Sequence, residues 1–261
     1  MKHGFHPFHI VDNSPWPIVC SSVLFTLVIS SLSWMSHSSG YQNLLFTMVM
    51  MLLVVTLWWR DVVRESYLMG SHTKEVISGL KLGMVLFILS EVMFFFSFFF
   101  SWFYISLVPE PWSGYQFPPL GVQPMDFMKV PLLNTILLLS SSVAVTWAHH
   151  EVLANKYLSS LLGLSLTVIL GLVFIYIQLQ EYKDSMFTIA DSVYGSLFYI
   201  MTGFHGLHVI IGVSFLIVSS IRIWLNHCSM VHHVGMEASI WYWHFVDVVW
   251  MFLFISVYCW Q

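Results

Sequence analysis

Seven apolar stretches alternate with short polar or charged segments along this chain. A helix rises about 1.5 Å per residue and a bilayer's hydrocarbon core is about 30 Å thick, so about 20 apolar residues make a crossing. Charges and turn residues predict spans at about 16–34, 41–65, 74–107, 129–150, 157–180, 191–222 and 234–258. The first opens after Asn13-Ser14-Pro15, a helix-start signal, and Ser38-Ser39-Gly40 turns the chain into the second. The longest loop runs from Val108 to Met128. Its prolines, Pro109, Pro111, Pro118, Pro119 and Pro124, exclude another helix there. Spans three and six are longer than a perpendicular crossing needs, which implies tilt or protrusion into water. No repeat or low-complexity tract breaks the pattern. The expected fold class is all-α, a polytopic membrane protein with seven transmembrane helices in one membrane domain.

Composition agrees with the pattern. The 261 residues are 58% hydrophobic and 17% aromatic, and only 8% are charged. Mean hydropathy is +0.80. A soluble domain carries about 25% charged residues, so a soluble core is excluded. Seven spans put the termini on opposite sides of the membrane. Lys2, Arg60, Arg64, Lys74, Lys81, Lys156 and Arg222 then fall on the N-terminal side, and only Lys129 and Lys183 on the other. The positive-inside rule turns the N-terminus to the cytoplasm or the mitochondrial matrix. The start, MKHGFHPFHIVDNSPWP, has no apolar core of a signal peptide, compatible with synthesis inside the compartment that houses the protein. Cys20, Cys228 and Cys259 are too scattered for a disulfide framework or a CxxC metal pair and read as packing residues.

Four polar groupings remain. Glu91 stands near the middle of KLGMVLFILSEVMFFFSFFFSWF. A charge at that depth costs about 2.5–3.5 kcal/mol on insertion scales, so Glu91 is either protonated or faces protein, water or a lipid head group. His205 and His208, three apart in GFHGLH, share a helix face. Hydrogen bonding across a helix interface fits them better than a haem or copper site, and Gly203 and Gly206 permit close approach. The adjacent pairs His149-His150 and His232-His233 point in different directions on a helix and read as interfacial histidines, not ligands. His244 and Asp247, also three apart, form a candidate polar pair within WYWHFVD. In Trp58-Trp59-Arg60-Asp61-Val62-Val63-Arg64-Glu65 the tryptophans mark the head-group level and the arginines suit lipid phosphates.

WWRDVVRES, FILSEVMFFFSFF, VPLLNTILLLSSSVAVTWAHH, FTIADSVYGSLFYIMTGFHGLHVIIG and WYWHFVDVVWMFLF together resemble subunit three of cytochrome c oxidase. The likeness runs from HPFHIVDNSPWP to the C-terminus, nearest the mitochondrially encoded form. It implies a multi-pass subunit of the mitochondrial inner membrane, N-terminus in the matrix and C-terminus in the intermembrane space. Two helices (16–65) are separated from five (74–258) by a V-shaped, lipid-filled cleft. The chain itself would bind no metal or redox cofactor. Haem a and copper belong to subunits one and two, which with smaller subunits are its partners. The resemblance makes Glu91 the family's intramembrane carboxylate. It puts Trp58, Arg64, Glu65 and His72 near lipid head groups, and Arg222 and His227 in a basic segment associated with cardiolipin. Leu225 stands where vertebrate relatives carry a lysine, and Ser97 replaces a glycine after the phenylalanine run. The implied role is a non-catalytic core subunit that stabilises the catalytic one, holds phospholipids and supports proton uptake. A redox subunit lacks a compact ligand set in the sequence. An independent proton or ion transporter centred on Glu91 finds little beyond Ser90 and Ser97 in its span.

Overall fold

The computed structural model describes residues 6–37, 40–109, 111–229 and 232–260, and these form seven long helices. They are α1 (Trp16–Met35), α2 (Tyr41–Tyr67), α3 (Lys74–Leu107), α4 (Val130–Leu153), α5 (Tyr157–Asp184), α6 (Ser192–Trp224) and α7 (Val234–Leu253). A π-helical turn, Phe254–Cys259, continues α7. All seven are long and apolar enough to cross a membrane, and no strand occurs among the described residues. Every expected span is present. Lys2, Ser38 and Ser39 lie outside the described residues.

Helix ends outrun the apolar patterns in places. Helix α5 continues through Glu181, Lys183 and Asp184, and α4 through Glu151 to Leu153. A charge ends an apolar run, but the backbone hydrogen bonds of a helix carry on past the hydrocarbon edge.

The chain divides into two compact units, residues 1–80 and 81–261, with the boundary inside α3. In the first unit α1 packs on α2. Ser30 Oγ and Thr47 Oγ1 lie 2.8 Å apart between them. At the far end the indole of Trp16 donates to Asp61 Oδ2 at 2.7 Å. Ser30 and Val54 are the buried residues of these two helices.

The second unit holds the core. Helix α4 packs on α5 and α7, and α6 on the same two, so the four helices close a ring. Three buried indoles fix its register. Trp243 Nε1 donates to Ser141 Oγ at 3.0 Å, Trp250 Nε1 to Thr135 Oγ1 at 3.0 Å, and Trp102 Nε1 to the Ser256 carbonyl at 2.8 Å. The last bond ties α3 to the turn after α7. The long proline-rich loop joins this core through Phe117, whose ring lies 5.3 Å from that of Trp102 and 5.6 Å from that of Tyr194.

Two glycines make room for Trp243. A Cβ on Gly171 of α5 would lie 2.8 Å from Trp243 Cη2, and one on Gly212 of α6 would lie 2.9 Å from Trp243 Cε3. The indole therefore fills a slot between two backbones. Gly203 and Gly206, expected to permit close helix approach, have no atom within 4 Å of such a Cβ. The close approach lies further along α6, because the large ring of Trp243 needs the space and the histidine side chains do not.

Adding a methyl to a filled site costs typically about 1–3 kcal/mol. Gly171→Ala and Gly212→Ala are accordingly expected to lower the thermal unfolding midpoint of the detergent-solubilised protein. Gly203→Ala meets nothing and gains helix propensity of about 1 kcal/mol at most. Circular dichroism on the three variants checks the contrast.

Candidate functional site

Glu91 lies on the face of α3 that also carries Phe94 and Phe95, three and four residues on. Its Oε2 is 3.0 Å from His208 Nε2 on α6. The Glu91 side chain is 24% exposed and that of His208 is 9% exposed, so the pair sits at the edge of the core, not its centre. Rings enclose the imidazole. The Phe95 centroid is 5.1 Å away, edge on, and Tyr242 stacks at 6.3 Å.

Hydrogen-bond chemistry fixes how many protons the pair holds. His208 Nδ1 is 2.7 Å from the Phe204 carbonyl, and a carbonyl only accepts, so Nδ1 carries a hydrogen. The 3.0 Å contact at Nε2 then needs one more proton, on the carboxyl or on the imidazole. Either way the pair is neutral overall. That is how a carboxylate is accommodated in a membrane span. The sequence of its own span offers Glu91 little beyond Ser90 and Ser97. The GFHGLH spacing marks His208 as an interface donor, but nothing in one sequence matches α6 to α3.

His205 has a different partner. Its Nε2 donates to the Val246 carbonyl at 3.2 Å, a bond across the α6–α7 interface. His244 Nδ1 lies 3.8 Å from Asp247 Oδ2 but 2.9 Å from Ser142 Oγ, so its hydrogen bond goes to α4. Asp247 is buried, and its carboxylate oxygens have no hydrogen-bond partner among the described residues. Glu181 was not singled out by the sequence. It accepts from Tyr258 at 2.6 Å in the core, beside the Asn134–Gln178 bond of 3.2 Å. The first joins α5 to the turn after α7 and the second joins α4 to α5, and a glutamate followed by Tyr182 and Lys183 reads as a span boundary.

The residues of the Trp58–Glu65 cluster form a network in the first unit. Asp61 collects Trp16 and Arg60, whose Nη2 stands 3.1 Å from Oδ1, with Arg64 Nη1 at 3.7 Å. The Arg64 side chain is 55% exposed. Glu65 Oε2 is 3.2 Å from His9 Nε2, and the His9 ring lies 6.1 Å from that of His72. The Thr73 hydroxyl donates to the Pro7 carbonyl and holds this N-terminal segment. Trp58 lines an apolar groove of about 330 Å³ with Cys20, Val55, Trp59 and Val62.

At the end of α6, the His227 backbone N–H donates to the Arg222 carbonyl at 2.9 Å, which brings the two half-buried basic residues together. The Arg222 guanidinium lies against Gly235, where a Cβ would collide with it. Cys228 next to them is buried, and burial pushes its thiol pKa up while the Arg222 charge works against that shift. All three cysteines are free.

The fold and the paired carboxylate define a multi-pass membrane protein in which several intramembrane polar side chains find partners on neighbouring helices. The family model described as Cytochrome c oxidase subunit III matches residues 6–261. Proteins named Cytochrome c oxidase subunit 3 are similar throughout. The one from Lycodon semicarinatus is 49% identical over 260 residues, 100% of this chain and 99% of its own length. The Lumbricus terrestris protein is 51% identical over 256 residues, 97% of this chain and 98% of its own. The Arabidopsis thaliana protein is 50% identical over 256 residues, 98% and 97%. This chain belongs to the cytochrome c oxidase subunit III family, and is thus a subunit of that respiratory-chain complex.

Hydrogen bonds that involve a charged group contribute about 1.5–3 kcal/mol. His208→Leu is expected to lose that much stability, measured by thermal unfolding. Glu91→Gln loses less, because its amide can still donate to Nε2. Equal losses in the two variants would remove the shared proton from the account.

Proposed function

We propose that this chain is a non-catalytic core subunit of the oxidase in the mitochondrial inner membrane, with its N-terminus in the matrix. Haem a and copper stand in subunits one and two. This subunit packs against them and the smaller subunits, stabilises the catalytic one and supports its proton uptake. It also holds phospholipids, cardiolipin among them. The observation that carries the reading is the difference in burial between spans. In α4 to α7, 33–61% of each apolar window is buried within the chain, against 6% in each of α1, α2 and α3. Apolar faces of that extent call for lipid or partner subunits.

Family membership supports carrying Trp58, Arg64, Glu65 and His72 as one lipid head-group region and Arg222 with His227 as a second. Arg64 suits the first, because its exposed guanidinium can bridge phosphate oxygens. Glu91 serves as the intramembrane carboxylate and His244 with Asp247 as an internal polar pair. A transporter centred on Glu91 would need polar groups in series, whereas the imidazole that Glu91 meets is surrounded by Phe94, Phe95, Tyr242 and Phe245.

Two variants test the proposal in the intact complex. Glu91→Ala should leave haem and copper content unchanged while shortening activity under sustained turnover; loss of a metal centre would count against it. Arg64→Ala should reduce anionic phospholipid retained through purification, measured by lipid mass spectrometry. Unchanged lipid would make Arg64 an interfacial anchor only.

A further inference from the structure

The histidine pairs that point apart in sequence meet in space. His149, one turn before the end of α4, His233, capping α7, and Glu237, in the first turn of α7, offer ligand atoms all within 4.8 Å of one another. We propose that His149, His233 and Glu237 bind a divalent transition-metal ion of the zinc class, a set that shares no residue with the Glu91–His208 pair. The reading as ordinary interfacial histidines does not account for three observations.

First, His149 Nε2 and His233 Nε2 are buried without a hydrogen-bond partner among the described residues. Buried polar atoms in folded proteins are nearly always satisfied, and two buried imidazole nitrogens within reach of one carboxylate are a set that a metal can complete. Second, His233 is held in the tautomer that a ligand needs. Its Nδ1 donates to the Ser229 carbonyl at 3.0 Å, which leaves Nε2 deprotonated in the neutral ring and aims it at the cluster. A backbone carbonyl behind the ring is the usual support of a metal-bound histidine. Third, Glu237 divides its oxygens. Oε2 is 2.5 Å from Lys81 Nζ, and Oε1 faces His233 Nε2 at 3.5 Å. That separation is already close to the ligand–ligand distance in a tetrahedral zinc site, about 3.4 Å for bonds of about 2.1 Å. The three ligand atoms, none more than 4.8 Å from another, need only a modest turn of the rings to close in.

Two imidazoles and one carboxylate match the His₂Glu set that zinc accepts, with water as the fourth ligand. Imidazole favours zinc, copper or nickel over magnesium or calcium. Lys81 is the competitor. Its side chain is 38% exposed, so the ammonium can swing into solvent when a cation arrives. The ion would clasp the end of α4 to the start of α7, and Lys81 would set its affinity.

The test uses the whole oxidase complex carrying this chain, washed with chelator and then given zinc chloride alone. Anomalous diffraction at the zinc edge should show a peak between His149, His233 and Glu237. Elemental analysis should find one zinc per complex that is lost in His149→Gln and in Glu237→Gln, with haem and copper unchanged. Lys81→Met should bind zinc at least tenfold more tightly. No peak at the cluster, or the same zinc content in every variant, would overturn the proposal. If a variant fails to assemble, the map of the unaltered complex decides.

Discussion

The ring of helices α4 to α7 depends on one indole. Trp243 fits between the backbones of α5 and α6 only because Gly171 and Gly212 carry no side chain, and its N–H then reaches Ser141 on α4. One side chain of α7 thus touches the other three helices of the ring. Between helices in a bilayer there is little hydrophobic drive, since lipid tails are as apolar as leucine. Close packing and interhelical hydrogen bonds must supply the specificity, and Trp243 makes both. Trp250 and Trp102 repeat the hydrogen-bonding half of this device nearer the π-helical turn.

Polar groups in this core follow a common rule of partnership across helices. Asn134 with Gln178, Tyr258 with Glu181, Tyr182 with Thr202 and Glu91 with His208 each join residues of different elements. The partnership is incomplete: Asn134 Oδ1, Gln178 Nε2 and Glu181 Oε2 keep a buried atom that no described residue satisfies, as do Asp247 and the two imidazoles of the His149 cluster. Among these, the histidine cluster gathers three potential ligands at one place, and there the structure points to chemistry beyond packing.

The fold was legible in the sequence almost in full, because a span is a local property. Twenty apolar residues between charges declare a membrane helix whatever its neighbours are. The expected edges fell short at Leu153 and Asp184, where polar residues continue a helix beyond the lipid. Partnerships were harder. His208 was correctly given an interhelical hydrogen bond, yet its partner Glu91 lies 117 residues away and no local spacing reveals it. Glu237 was overlooked beside Asp247, and His149 was separated from His233 by 84 positions of chain. The glycine expectation failed for a related reason: GFHGLH announces small residues, but only the position of Trp243 says which glycines a neighbour needs.

The sparse interior of α1 and α2 bears on how the chain is made. Each helix satisfies its own backbone hydrogen bonds, so a pair joined by a short turn can enter a bilayer and persist there without a core. Ser30 and Val54 are all that the pair buries, and Ser30 is held by one hydroxyl contact to Thr47. Such a hairpin can persist in lipid while the later helices find one another. Its cohesion then rests on the Trp16–Asp61 bond, the Ser30–Thr47 contact and the lipid around it, with no buried indole among its described residues to lock it.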